Sequence, residues 1–487
     1  MPTPMNRTTA FLGIAAALLL TAVVVGLPKS SPTPRPPPVP PPVAPVTPPP
    51  PEPTPVATPT PHPGSLTMTG KLSHPYLVPG TSDVFATLEV TGVDVPNARR
   101  APVNLSLVID RSGSMSGEKN AQARRAALRL VDLLEESDRL AIIHYGSDVR
   151  LMPGAFATPD NKDRMRRYIR NISDEGGTNI GDGLMAGKAQ LDVARSDFTV
   201  NRLLLLSDGQ PTVGVTSPNG LVNIASRLRA AGTTITSLGV GADFNEDLMQ
   251  RLADVGGGSY GFIRDAESTV ALFERDLQQA GTMVARGVTL KFTVPSGIDF
   301  REVFGRPVLR SGNTVTVSLP DFSSRQSEKL VVHLTARATG AEAAALDVAD
   351  FRLDYTDLLT SQTADASVKL AAMVTPDRTL ADQKRDKDAF VLATRARASQ
   401  NVEKAASAMQ QGRYREAQQL IQDNTVLFDE AAPVAGAAAL ESDYAGNVKQ
   451  LDVARKAPAA PAEAQSESVK AMKVDSLRGY GRGASVY

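Results

Sequence analysis

Asp110, Ser112 and Ser114 alternate within the stretch Asp110-Arg111-Ser112-Gly113-Ser114-Met115. Each side chain carries oxygen, and the stretch follows the apolar run 103–109, where a buried strand must stop. Two later stretches share this character, Gly176-Gly177-Thr178-Asn179 and Ser207-Asp208-Gly209. The set offers hydroxyl and carboxylate oxygens without sulfur or imidazole, the donor chemistry of a hard divalent cation. Taken singly, each stretch also fits a turn or a helix cap. Their combination points to metal.

Such residues need elements that bring them together. Between about 103 and 281, strand-like and helix-like stretches alternate, which predicts a parallel sheet covered on both faces. The reading is strand 103–109, helix 117–136, strand 139–145, helix 163–172, helix 181–195 and strand 202–207. A helix over 221–230, strand 233–240, helix 246–254, strand 259–263 and a helix to about 279 complete it. Asp110 and Asp208 both fall just beyond strand ends, where open α/β sheets bind ligands. Gly113, Gly176, Gly177 and Gly209 allow sharp turns and close backbone approach beside them.

With these residues in order, the stretch resembles a von Willebrand factor type A domain. Asp110-Arg111-Ser112-Gly113-Ser114 matches that family's Asp-x-Ser-x-Ser loop, and Gly177-Thr178 and Ser207-Asp208-Gly209 match its second and third loops. The resemblance implies a metal-ion-dependent adhesion site formed by Asp110, Ser112, Ser114, Thr178 and Asp208. It implies that the serine hydroxyls ligate the cation, with Thr178 direct or through water and the two aspartates partly accepting from bound waters. A carboxylate of a partner protein would fill the remaining position. Mg²⁺ is the expected ion, with Mn²⁺ and Ca²⁺ as alternatives. The expected function is metal-dependent protein binding in adhesion or assembly. The alternative is an envelope scaffold in which the cation only stabilises the fold.

Catalysis is not expected. Ser112 stands where strand-end aspartyl phosphotransferases place a second Asp. Gly113-Ser114-Met115-Ser116-Gly117 puts Met115 where a nucleophile elbow needs Ser. Gly256-Gly257-Gly258 precedes a strand and reads as a turn, and His144 reads as a packed residue of an interior strand. Lys plus Arg and Asp plus Glu are both 52, so no basic field marks nucleic acid as a partner. The four His are scattered and Cys is absent, which excludes thiolate sites and disulfides.

The remaining chain reads as further modules. The uncharged apolar run 10–27 after Arg7 is an export signal, expected to stay as a membrane anchor over 1–27 with the bulk outside the cytoplasm, in the periplasm or at the cell surface. A cleaved signal and a secreted protein are the alternative. About half of 28–63 is proline, a stiff polyproline spacer within the linker 28–64. Period-2 alternation at 84–90 returns only after 285, so 65–101 and 283–375 are expected to form one β-sandwich around the inserted domain, 102–282. Residues 376–456 read as a small α-helical module, with breaks near Gly412 and at Ala432-Pro433. Its segment Gln411-Gly412-Arg413-Tyr414-Arg415-Glu416-Ala417 resembles the turn between helices of a tetratricopeptide unit. Residues 457–487 read as a disordered tail. The expected architecture is an α/β doubly wound, Rossmann-like domain inserted in a β-sandwich and followed by helices.

Overall fold

Strand β4 (Val103–Asp110) is buried along its whole length, and the α/β domain is built outward from it. The computed structural model describes residues 64–482 and 486, apart from 97–99, 242–243, 264–265 and 340–344, with no side chains described for 266–270. The expected anchor (1–27) and all of the proline-rich linker but Gly64 lie outside the described residues. Among the described residues, no helix is long and apolar enough to cross a membrane.

Three strands come first: β1 (Leu66–Leu72), β2 (Tyr76–Leu77) and β3 (Gly80–Gly92). The α/β stretch then runs β4, α1 (Glu118–Leu133), β5 (Arg139–Tyr145), β6 (Val149–Phe156), α2 (Pro159–Arg170) and α3 (Ile180–Asp192). It continues through β7 (Val200–Ser207), α4 (Pro218–Ala230), β8 (Thr234–Val240), α5 (Glu246–Gly256), β9 (Gly257–Ile263) and α6 (Ala266–Gly281). Strand order is β6-β5-β4-β7-β8-β9, parallel except for β6. The chain leaves β4 toward β5 on one side, while β7 leads to β8 and β9 on the other. The topological switch point therefore lies between β4 and β7, the two strands that end at Asp110 and Ser207.

Apolar residues of both strand faces are covered. Leu105, Leu107, Ile109, Leu204 and Leu206 pack with Ala123, Ala127 and Leu130 of α1 and Phe273 of α6. Val108, Ile143, Leu203 and Leu205 pack with Leu184 of α3, Leu221 of α4 and Leu252 of α5. Strand β6 has no counterpart in the sequence reading, because Pro153 and Gly154 break its pattern. Among the described strands it pairs only with β5, at the sheet edge, where a missing N–H is tolerated.

After α6 come β10 (Met283–Thr293), β11 (Ile298–Val303), β12 (Leu309–Ser311), β13 (Thr314–Ser318), β14 (Phe322–Ser323), β15 (Ser327–Ala338), β16 (Ala345–Asp357) and β17 (Thr363–Val374). One sheet has the order β1-β3-β15-β11, and a second runs β12-β13-β10-β16-β17-β2, with β14 paired to β10. Twelve residues of β3 pair with β15, from Gly80↔Ala338 to Thr91↔Ser327, joining chain from before and after the α/β domain. The two sheets share one core, including Val84, Leu88, Phe292, Leu334, Phe351 and Leu353.

The helices are α7 (Arg378–Gln383), α8 (Lys387–Gln410), α9 (Tyr414–Ala435), α10 (Ala437–Lys456) and α11 (Ala462–Gly479). Pro433 does not break the chain where expected. It lies inside the last turns of α9, and the break falls at Gly436, whose φ of +84° ends the helix.

The expected disordered tail is corrected by α11. Val469, Lys470, Met472, Lys473, Val474 and Leu477 are buried, and Val486 pairs with Tyr260 beside β9. Its Ala, Ser, Glu and Lys content looks solvated in isolation, but the helix acquires partners from distant chain. Lys473 Nζ lies 2.7 Å from Glu246 Oε1 and 3.2 Å from Asp247 Oδ1. Burial alone would raise the Glu246 carboxyl. The hydrogen bond and charge of Lys473, with a backbone amide and Gln410, outweigh burial and hold it below its ordinary value of 4.5. A carboxyl whose folded value lies below its unfolded one stabilises fully above that ordinary value and loses its contribution as pH falls through the folded value. The urea midpoint is therefore expected to fall between pH 6 and pH 3.5 by less in Glu246→Gln than in the wild type.

Candidate metal site

Asp110 closes β4 with no solvent exposure. Its Oδ1 accepts the backbone N–H of Ser112 at 2.9 Å, a local turn that bends the chain immediately after the strand. Its Oδ2 accepts from the Ser207 hydroxyl at 2.6 Å, and that hydroxyl in turn accepts the N–H of Gly209 at 2.8 Å. Asp110 thus spans the switch point and holds the first and third loops together. Beyond the turn, the Ser112 and Ser114 hydroxyls lie 3.0 Å apart. Ser112 is buried and Ser114 is exposed, so the pair runs from the interior to the surface.

The second loop is strapped to both others by backbone. Gly113 N–H donates to Gly176 O at 2.9 Å, and Glu175 N–H to Arg111 O at 2.7 Å. Thr178 N–H donates to Thr212 Oγ1 at 2.8 Å, while Thr178 O accepts from the N–H groups of Thr212 and Val213. Thr178 is 2% exposed. Gly176 has φ +82°, and a Cβ there would meet Ser147 Oγ at 2.9 Å, so both backbone shape and space require glycine.

Charge is unevenly satisfied. The Arg111 side chain is fully buried and pairs with Asp148 and with Glu175, the latter at 2.8 Å, which pins the first loop to the start of the second. Asp208, also without exposure, receives Lys119 Nζ on Oδ2 at 3.3 Å. Its Oδ1 is buried and has no hydrogen-bond partner among the described residues. An orphaned carboxylate oxygen costs on the order of 1–3 kcal/mol or more unless something positive meets it. Burial pushes the Asp110 carboxyl up to about 6 against the hydrogen bonds from Ser112 and Ser207, and the Asp208 charge adds to the rise. A nearby cation would oppose that rise.

All five residues singled out from sequence lie in these three linked loops. Among the described residues, no three His, Cys, Asp or Glu side chains gather into a metal cluster. The donors here are two carboxylates with hydroxyls, which suits an ion that keeps waters and an open position. The orphaned Asp208 oxygen and the paired serine hydroxyls fit a small hard cation. Ser207, Arg111, Thr212 and Lys119 also build the site without being donors in the motifs. Ser207 was inside a motif and Arg111 between two motif positions, whereas Lys119 and Thr212 have no local signal. His144, expected as a packed residue, is 7% exposed and meets Tyr168 OH at 3.1 Å.

A doubly wound α/β domain with three oxygen-bearing loops at its switch point defines the class. A family model, von Willebrand factor type A domain, matches residues 104–275, and the chain is a protein carrying such a domain. Among curated proteins, the uncharacterized protein YfbK of Escherichia coli (strain K12) is 32% identical over 188 residues, 38% of this chain and 32% of that protein. The inter-alpha-trypsin inhibitor heavy chain H3 of Mus musculus is 34% identical over 159 residues, 31% of this chain and 18% of that protein. The matches thus span about a third or less of those relatives. A solved von Willebrand factor type A protein from Catenulispora acidiphila shares the fold with a TM-score of 0.62 at 17% identity, covering 85% of this chain and 97% of that one. The ArnB paralog VWA2 from Sulfolobus acidocaldarius gives a TM-score of 0.52 at 16% identity, covering 84% and 98%.

Proposed function

We propose that the chain is a metal-dependent protein-binding module, with Mg²⁺ held by Asp110, Ser112, Ser114, Thr178 and Asp208. The observation that carries this reading is Asp208 Oδ1, a buried carboxylate oxygen without a hydrogen-bond partner among the described residues, at the switch point of the sheet. When bound, the cation would supply an electrophilic position for an acidic side chain of a partner. This chain's residues do the rest. Ser112 and Ser114 present neutral hydroxyls, which leave an incoming carboxylate attractive to the ion. Asp110, fixed by Ser112 N–H and Ser207, holds the loops in register. Arg111 braces the loop that carries Thr178.

In this reading 1–27 is a membrane anchor, 28–64 a linker, and the bulk of the chain lies outside the cytoplasm. Strands of 65–101 and 283–375 form one β-sandwich, supported by the β3–β15 pairing and the shared core. The module is not an enzyme and takes no nucleic acid. The test is a pull-down with the full chain in Mg²⁺, in chelator, and with Asp110→Ala. A partner retained only by the wild type in Mg²⁺ is the expected result. Equal capture in all three would overturn the reading. Mg²⁺ that raises thermal stability while capture stays equal would favour the scaffold role.

A further inference from the structure

The third loop of the site is also held from the start of α5. Asp208 O accepts the backbone N–H of Asn245 at 2.7 Å. Asn245 caps α5, its Oδ1 accepting from Leu248 N–H at 3.1 Å, and a Cβ on Gly209 would lie 3.3 Å from Asn245 Cβ. The residues on both sides of Asn245 are gripped by α11. Lys470 Nζ donates to Phe244 O at 3.2 Å and stands 3.9 Å from the centre of the Phe244 ring. Lys473 Nζ donates to Glu246 Oε1 at 2.7 Å and to Asp247 Oδ1 at 3.2 Å. The two lysines are three positions apart, so they share one face of the helix. They are 3% and 8% exposed, and lysine is almost never buried so deeply unless its charge is paired. Docking alone is served by Val474 and Leu477, which share a core with Phe244 and Leu252. The ammonium groups add a fixed position for residues 244–247.

We propose that α11 positions the third metal loop, so that cation affinity and docking of the C-terminal helix are linked. This deepens the proposed function and rests on it. The Asn245 N–H is a fixed point for the Asp208 backbone, and α11 fixes Asn245 through the residues on either side. With α11 docked, the Asp208 carboxylate is held in place toward Asp110 and the serine hydroxyls. With α11 displaced, residues 244–247 lose the contacts of Lys470 and Lys473, and the loop holds a cation less well. Linkage makes the effect reciprocal. A cation that binds better with α11 docked tightens that docking by the same factor. Helix α11 lies far beyond residues 104–275, the stretch matched by the family model, so the coupling comes from this chain's own C-terminal segment.

The test adds Mg²⁺ alone to the full chain, reading amide hydrogen exchange in α11 and affinity by calorimetry. In the wild type, Mg²⁺ is expected to slow exchange in α11 about tenfold, with α10 as the internal reference changing less than about twofold. Lys473→Met keeps most of the stem and removes the charge. It is expected to bind Mg²⁺ about tenfold more weakly and to lose the slowing in α11. Tyr480→Phe removes the bond to Glu403 at the other end of the helix and is expected to bind Mg²⁺ as the wild type does. Lys470→Met replaces Lys473→Met if that protein fails to fold. Mg²⁺ binding without slowing in α11 overturns this inference and leaves the proposed function standing. So does a lysine variant with wild-type affinity, or one weakened no more than Tyr480→Phe. A wild type that binds no Mg²⁺ overturns both.

Discussion

Ending the chain at Lys456 is expected to cost on the order of 5 kcal/mol of stability and to lower the urea midpoint sharply. The deletion removes α11 and the residues beyond it, among them Val474, Leu477, Tyr480 and Val486, which share a core with Leu252, Phe244 and Phe304. Each fully buried apolar side chain contributes roughly 1.5–3 kcal/mol, and the cost of ordering the segment offsets part of that sum. The polar partners enlarge the loss. Tyr480 OH donates to Glu403 at 2.6 Å, and Lys473 pairs with Glu246. Arg482 is buried, pairs with Asp254 and donates to Gly305 O at 3.0 Å. Removing the basic partners leaves Glu246 and Asp254 without them near a newly exposed apolar face. A Cβ at Gly305, in the turn after β11, would lie 2.1 Å from the Tyr480 ring, so that turn is shaped to receive it. An unchanged urea midpoint after truncation would show that the segment is only laid on the surface.

Asp276→Ala is expected to destabilise the chain by about 3–5 kcal/mol, the range for removing one partner of a buried ion pair. Asp276 lies on α6 with no exposure, and its Oδ1 accepts from Arg202 Nη1 at 2.6 Å and from Thr236 Oγ1 at 3.0 Å. Arg202 is on β7 and Thr236 on β8, so one carboxylate ties the helix to two strands. Without it, the Arg202 guanidinium stays buried and loses the Asp276 carboxylate. The double variant Asp276→Ala with Arg202→Met is expected to recover part of the loss, because both charges of the pair are then removed together. Chemical denaturation of the three proteins measures this. A single variant within 1 kcal/mol of wild type would contradict it.

The α/β order was legible because its strands are continuous apolar runs and its helices repeat at helical spacing, so β4, β7 and β8 stand out in the sequence. Residues 65–101 also pointed beyond themselves, since β1 and β3 cannot form a stable sheet alone. Strand β6 was hidden by Pro153 and Gly154, which only an edge position excuses. Helix α11 was hidden for a different reason. Its buried Lys470 and Lys473 read as solvated until Phe244 O and Glu246 are brought to them from more than two hundred residues away.

The candidate site follows the same division. Asp110, Ser112 and Ser114 lie within five residues, and Thr178 and Asp208 sit in short motifs at element ends. What joins them is not local. Ser207 reaches Asp110 only because β4 and β7 are neighbours, and Lys119 reaches Asp208 only because α1 passes beside Gly241. Sequence displays the donors, whereas the groups that hold them depend on strand order.

The central claim is that these oxygens bind one divalent cation. Calorimetric titration of the full chain with Mg²⁺ tests it, comparing wild type with Asp208→Ala, which deletes the orphaned oxygen. One Mg²⁺ per wild-type chain, with affinity lowered by about ten- to a hundredfold in Asp208→Ala, is the predicted result. Equal affinity in the two proteins, or no binding by the wild type, would contradict the account.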